Sequence, residues 1–228
     1  MTDNTERTIE PGGTNEDEVR LRSLSRALDS ATANPVDLAT IRPVIRPFDL
    51  GQLTPSYQLP CGDLYVLWVS ATESEAKGYV NEIYVTRERQ SQIEVSGLSL
   101  PRLAMRNIAE MSGLNLATQG FGDQAGNLIG MYFFQEDGYG PARTLFGEYL
   151  SRYFPTGYWL AYPTRTEAFV ISKTAPESDI ERYRGAVEHI YDQGQGVCRR
   201  FLEPDEVAVP DNWLTDATAY LNELASKS

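Results

Sequence analysis

Short apolar runs that occur in neighbouring pairs, with turn-forming residues between them, constrain the fold of this chain more than any other feature. Leu64 to Val69 (LYVLWV) and Tyr79 to Val85 (YVNEIYV) flank a polar stretch that ends at Gly78. Runs rich in aromatic and β-branched residues are typical of strands, and two of them around a polar turn predict a hairpin. The same pattern predicts two further hairpins, from residues 114–120 with 127–134 and from residues 157–163 with 167–173.

The segment IRPVIRPF, residues 41–48, carries prolines at positions 43 and 47. Proline has no N–H group to donate to a neighbouring strand, so a strand here would lie at the edge of a sheet or be irregular, and the segment can equally be a connector.

Between the strand-like runs, apolar residues recur at helical spacing. The stripe from Ala142 to Tyr153 predicts one continuous helix over residues 141–154. Ser99 followed by Pro101 is typical of a helix start, and Gly113 marks the end of a helix over 100–112. Further elements are predicted over 16–30, 176–192 and 213–225 as helices and near 197–202 as a strand.

Hairpins mixed with helices predict an α+β fold, in which an antiparallel sheet built from hairpins has helices packed mainly on one face. Residues 1–15 lack periodic apolar residues and contain Pro11, Gly12 and Gly13. We expect them to form a disordered acidic tail, followed by a single α+β domain over 16–228.

The chain is strongly acidic, with 32 Asp and Glu against 20 Lys and Arg and a net charge of −12. A phosphate backbone would meet a repulsive field, which argues against nucleic acid as a partner. No apolar stretch of the length needed to cross a membrane is present, and the polar start lacks the pattern of a signal peptide. We therefore expect a cytoplasmic protein of bacterial type with no membrane partner.

Recognisable catalytic and cofactor motifs are missing from the sequence. There is no phosphate-binding GxxxxGK[ST], no GxSxG and no HExxH, so no cofactor is predicted. Cys61 and Cys198 lack the spacing of a metal site, and no metal is predicted. His189 lies within a predicted helix and is expected to be structural or partly exposed, and Cys198 is expected to fill the core although two arginines follow it.

Polar side chains concentrate in YFFQEDGYGPAR, residues 132–143, where an apolar strand runs through a turn into a helix. Asp137 can brace this turn, Gly138 can supply a positive φ, and Arg143 can reach back to Asp137. The stretch is therefore interpretable as a structural junction. It is also the best candidate for a ligand or partner site.

Several short motifs follow one another in a definite order: PVIR at 43–46, the helix around Asn107, the aromatic strand followed by Asp137, Gly138, Tyr139, Arg143 and Leu145, and the later strand with Pro163. In this order they resemble a bacterial family catalogued as domain of unknown function 1444. The resemblance covers about residues 40–205, with its best block at 127–172, and implies a cytoplasmic α+β protein without an assigned activity. The chain is shorter at its front than the family pattern. It also has Thr166 where the pattern leads us to expect an acidic residue.

Two classes of function follow from these observations. The first is a non-enzymatic binding or regulatory protein, such as an inhibitor or immunity-type partner of a more basic protein. The second is an enzyme or small-molecule sensor, with a site built from Asp137, Tyr139, Arg143, Arg165 and Asn107. A variant of the second is an anion pocket formed by Arg102, Arg106, Arg143 and Arg165.

Overall fold

The computed structural model describes residues 37–74, 79–123, 125–135, 137–193 and 196–227. The predicted tail over 1–15 and the predicted helix over 16–30 lie outside these residues. Within them, helices are combined with two antiparallel sheets, which confirms the α+β class. None of the helices in the described residues is long and apolar enough to cross a bilayer.

Sheet 1 is formed by the first four strands. They are β1 (Ile41–Arg46), β2 (Ser56–Gln58), β3 (Tyr65–Ser74) and β4 (Tyr79–Tyr84). Val69 of β3 pairs with both Arg42 and Tyr84, so β1 and β4 lie on opposite sides of β3. The hairpin predicted from LYVLWV and YVNEIYV is confirmed. Among the described residues β1 pairs with β3 alone, so this proline-containing strand lies at a sheet edge, as predicted.

Sheet 2 is formed by the last four strands, in the order β5-β6-β8-β7. They are β5 (Gln119–Gly122), β6 (Leu128–Phe133), β7 (Tyr158–Ala161) and β8 (Ala168–Ser172). Both predicted hairpins are confirmed, but the first strand does not begin at residue 114. The Leu116 carbonyl accepts a hydrogen bond from the Gln135 side chain at 2.6 Å, and the Leu114 carbonyl accepts one from the Tyr149 hydroxyl at 3.4 Å. These two carbonyl groups bond to side chains instead of to a neighbouring strand.

The described residues contain six α-helices. They are α1 (Arg87–Val95), α2 (Leu100–Ser112), α3 (Gly140–Arg143), α4 (Gly147–Tyr153), α5 (Glu177–Asp192) and α6 (Asp211–Lys227). The predictions over 100–112, 176–192 and 213–225 are confirmed by α2, α5 and α6. Helix α2 ends at Gly113, whose φ of 55° lies in the left-handed region that glycine tolerates.

The continuous helix predicted over 141–154 is wrong, because the chain breaks between α3 and α4. The N–H groups of Thr144, Leu145 and Phe146 bond to carbonyls three residues earlier, and Phe146 leaves the helical region at φ −81° and ψ 64°. The Thr144 hydroxyl also bonds to the Pro141 carbonyl at 2.7 Å and to the Tyr162 hydroxyl at 2.9 Å. Such side-chain bonds compete with regular helix geometry; the first of these is local, whereas the second comes from a buried residue outside the segment.

The strand predicted near 197–202 is also wrong. Leu202 forms one isolated bridge with Leu160. The N–H groups of Val197 and Cys198 both point to the Tyr162 carbonyl, at 3.2 and 3.4 Å. Two neighbouring residues cannot share one acceptor in a regular ladder, so the segment follows the end of β7 without extending the sheet.

One hydrophobic core contains residues of both sheets, including Val66 of β3 and Phe133 of β6. In β8 successive side chains face opposite ways: Val170 enters this core, whereas Ile171 joins a smaller cluster with Ile180 of α5. Helix α5 therefore covers the outer face of sheet 2, while α2 and α6 pack together beside sheet 1.

Candidate functional site

The junction between β6 and α3 is built on a buried ion pair. The Asp137 carboxylate accepts a hydrogen bond from the Tyr139 N–H at 2.9 Å and is bound by both terminal nitrogens of Arg143, with Nη1 at 2.9 Å. Arg143 also donates from Nε to Ser112 Oγ at 2.8 Å, and its side chain is 2% exposed. The bidentate contact between Arg143 and Asp137 is the one that the structural interpretation of this stretch predicted, and the bond to Ser112 ties it to α2.

Two glycines allow the junction to pack against the β7–β8 loop. Gly138 has a φ of 78°, and a Cβ atom there would lie 3.3 Å from a Thr166 methyl carbon. A Cβ atom on Gly140 would lie 2.4 Å from the Phe133 carbonyl oxygen and 2.6 Å from that of Thr166. Thr166 therefore lies against the turn, in the position where the family pattern led us to expect an acidic residue.

Tyr139 lies where the junction meets the arginines of β1, Arg42 and Arg46. Its side chain is 3% exposed, and its hydroxyl has no hydrogen-bond partner among the described residues. Burial raises the pKa of this hydroxyl and Glu82 raises it further, whereas the charges of Arg42 and Arg46 act in the opposite direction. At neutral pH the Tyr139 hydroxyl is therefore a neutral hydrogen-bond donor surrounded by charged groups.

Arg42 and Arg46 were not predicted as site residues. Since they are four positions apart on β1, they share one face of the strand. Arg46 is 5% exposed and pairs with Glu82 at 2.7 Å. Burial opposes its charge, but Glu82 and Tyr84 outweigh burial and raise its pKa. The sequence signal for this pair is the even spacing of the two arginines in IRPVIR, which places both on one face of a strand.

Arg165 approaches the same place from the β7–β8 loop. Its side chain is exposed, and it makes no hydrogen bond or ion pair within the described ranges. Burial of part of the side chain lowers its pKa, and the charge of Arg46 lowers it further. We call Arg42, Arg46, Arg143 and Arg165 the arginine cluster.

Asn107 has a structural role. Its side-chain amide, on α2, donates to the carbonyls of Leu38 at 2.8 Å and Ile41 at 3.0 Å, which fastens the start of β1 to the helix. Both donors of this amide are thereby used, which leaves none to bind a ligand.

Arg102 and Arg106 contact α6 and are not members of the arginine cluster. Arg102 forms a two-pronged pair with Asp216, at 2.5 and 3.0 Å. Arg106 bonds to Glu110 at 2.6 Å and lies 4.2 Å above the ring of Tyr220. The anion pocket predicted from Arg102, Arg106, Arg143 and Arg165 is therefore not assembled, because its members serve different contacts.

His189 and Cys198 do not provide an activated nucleophile. His189 is exposed near the end of α5 and contacts the Gln193 side chain at 2.9 Å. Cys198 is buried, and burial raises the pKa of its thiol. In the described part of the chain, no group of three or more His, Cys, Asp or Glu side chains has an arrangement that could hold a metal ion.

A groove between α4 and α6, which we call the helix groove, has a volume of about 360 Å³. Phe146, Tyr149, Leu214 and Leu221 supply its apolar lining, and charged residues such as Glu148, Arg152 and Asp211 stand beside them. Next to the groove, Tyr153 is 47% exposed, and its ring lies 5.0 Å from that of Tyr149.

Comparisons with protein-family models, curated proteins and solved structures find no match to this chain. The resemblance to domain of unknown function 1444 stays a prediction.

Proposed function

We propose that this chain is a non-enzymatic binding or regulatory protein that receives an amphipathic helical segment of a more basic protein in the helix groove. The observation that carries the proposal is the groove itself, a cleft of about 360 Å³ between two helices, lined by aromatic and aliphatic side chains. Grooves of this form accept the apolar face of a helix through residues spaced three, four and seven apart.

Charge supports a basic partner. The chain has a net charge of −12, and Glu148 and Asp211 outnumber Arg152 at the groove. A partner helix with Lys and Arg beside its apolar stripe would be steered to this surface and held in register by these carboxylates. In this proposal the protein acts in the cytoplasm of a bacterium, with neither nucleic acid nor membrane as its partner.

The predicted catalytic candidates favour binding over catalysis. The Asp137 carboxylate is occupied by Arg143 and the Tyr139 N–H, so it is poorly placed to act as a general base. The raised pKa of Tyr139 makes its hydroxyl a weaker proton donor at neutral pH.

A matched pair of variants tests the helix groove. Thr218 lines the groove, whereas Ala219, the next residue on α6, is exposed and outside it. Thr218→Arg and Ala219→Arg add the same charge to the same helix, but only the first fills the groove and repels a basic ligand. The probes are labelled synthetic helices with Leu at positions i, i+3, i+4 and i+7, one carrying Lys, one carrying Glu and one with scrambled order.

Fluorescence anisotropy at two salt concentrations measures the affinities. We expect only the Lys peptide to bind, with a Kd below about 100 µM. Thr218→Arg should raise this Kd at least tenfold, and Ala219→Arg should raise it less than twofold. Equal binding of the Glu peptide, or equal effects of the two variants, would contradict the proposal. A tenfold gain in peptide affinity on deletion of residues 1–36 would also contradict the proposal, because the helix groove would then be a binding site for this segment of the chain itself.

A further inference from the structure

Two members of the arginine cluster have no carboxylate partner. Arg46 pairs with Glu82 at 2.7 Å and Arg143 pairs with Asp137. Arg42 and Arg165 have no carboxylate within ion-pair distance among the residues that the structure describes. Within the described ranges these two guanidinium groups thus lack a direct ion pair, although, against the lowering effect of burial, the charges of Asp137, Asp37 and Glu110 raise the pKa of Arg42 and that of Glu82 raises the pKa of Arg165.

Hydrogen-bond donors are left over at the same place. Arg42 uses Nη1 to bind the carbonyls of Ala39 and Ile41, but its buried Nε has no partner in the described part of the chain. The Tyr139 hydroxyl is likewise buried and unpartnered within those ranges. Buried donors are nearly always satisfied in folded proteins, and exceptions often belong to sites that act on a ligand or bind one.

We propose that the arginine cluster binds a small dianionic ligand, a phosphate monoester or a dicarboxylate, whose oxygens accept hydrogen bonds from Arg42, Arg165 and the Tyr139 hydroxyl. Arg165 is the exposed member and forms the entrance. Arg46 and Arg143 form ion pairs with Glu82 and Asp137, so their charges are already balanced and the ligand binds to Arg42 and Arg165.

The chemistry of the donors selects this class of ligand. A guanidinium group presents paired N–H donors that match the oxygens of a phosphate or a carboxylate. Two guanidinium groups that form no ion pair within the described residues match two negative charges, so a dianion is favoured over a monoanion. Burial lowers the pKa values of both Arg42 and Arg165, and a bound dianion would offset that effect by stabilising their charged forms.

The proposed site is independent of the helix groove. The groove is lined by residues of α4 and α6 and by Phe146, none of which belongs to the arginine cluster. Thr218→Arg should therefore leave anion binding unchanged, so either proposal can fail without the other.

Isothermal titration of the intact chain with inorganic phosphate and with succinate tests the site, with acetate and chloride compared at matched ionic strength. We expect a Kd below about 1 mM for at least one of the two dianions. Arg165→Gln should raise this Kd at least tenfold. The same variant should leave the urea unfolding midpoint unchanged or higher, because it removes a charge that Arg46 repels.

Tyr139→Phe provides a second variant that keeps the buried ring. Without ligand it should be as stable as the parent or more so, because an unsatisfied buried hydroxyl is removed, yet it should bind the dianion about tenfold more weakly. Arg182→Gln, on the surface of α5, is the charge-matched control and should change the Kd less than twofold.

The relative affinities of phosphate and succinate show whether the site prefers a phosphate monoester or a dicarboxylate. A Kd above about 1 mM for both dianions, equal binding of acetate or chloride, or full affinity in Arg165→Gln would each overturn the proposal.

Discussion

Removal of the Asp137 carboxylate should destabilise the protein strongly, because it leaves the Arg143 guanidinium buried without a counter-ion. The two side chains differ in exposure, at 27% for Asp137 and 2% for Arg143. Water can therefore reach the side of the carboxylate but hardly reaches the guanidinium. In Asp137→Ala the Arg143 guanidinium loses its carboxylate partner, and water cannot reach it to hydrate its charge.

The expected magnitude follows from this asymmetry. Breaking a buried ion pair by removing one partner costs about 3–5 kcal/mol, and the partial exposure of Asp137 places this pair near the lower end, at about 3 kcal/mol. For a domain of this size, each kcal/mol corresponds to about 2–4 °C in Tm, so Asp137→Ala should lower Tm by about 6–12 °C.

Urea unfolding followed by tryptophan fluorescence measures the loss, with two matched variants. Glu223→Ala removes the exposed pair with Lys227 and should cost about 0.5 kcal/mol or less. The double variant Asp137→Ala, Arg143→Met removes the buried charge together with its partner, and should be more stable than Asp137→Ala alone. A loss in Asp137→Ala no larger than that in Glu223→Ala, or no recovery in the double variant, would refute the reasoning.

Two further predictions concern packing and pH. Gly140→Ala should destabilise the chain by about 2 kcal/mol or more, because the new methyl group would meet two backbone oxygens at 2.4 and 2.6 Å. Gly185→Ala, in α5 with open space around the site, should stabilise it by about 0.5–1 kcal/mol, and thermal unfolding of both variants checks the contrast. The hydrogen bond from Arg102 lowers the pKa of Asp216, so this carboxylate stabilises the fold above its unfolded pKa and loses that contribution as pH falls through its folded value. Asp216→Asn should therefore lower stability at pH 7 by less than about 1 kcal/mol and leave it unchanged near pH 2, which unfolding at both pH values measures.

Local patterns were sufficient to predict elements that are specified by their own residues and their immediate neighbours. The run LYVLWV forms the first half of β3, because aromatic and β-branched residues pack well in a buried strand. Helix α2 begins and ends as predicted, since Pro101 and Gly113 act through their own backbone conformations. The contact between Asp137 and Arg143 could also be predicted from the sequence, because only a short turn separates the two residues.

The break between α3 and α4 was not decided by local contacts alone, although Thr144 also bonds to the Pro141 carbonyl three residues earlier. The stripe over 141–154 fits a continuous helix, but Thr144 is held by Tyr162, which is distant in sequence. Competition between a helix and a long-range hydrogen bond is decided only when both partners are in place.

The sequence by itself determined the α+β class, most strands and helices and the Asp137–Arg143 brace, because these depend on periodicity and on neighbours within a few residues. Only the tertiary structure decided that Arg42 and Arg46 face Tyr139, that Arg165 joins them, and that Arg102 and Arg106 turn to α6. Arginine has a long side chain and no fixed local partner. Its contacts are therefore set by which carboxylates, rings and carbonyls the fold brings within reach.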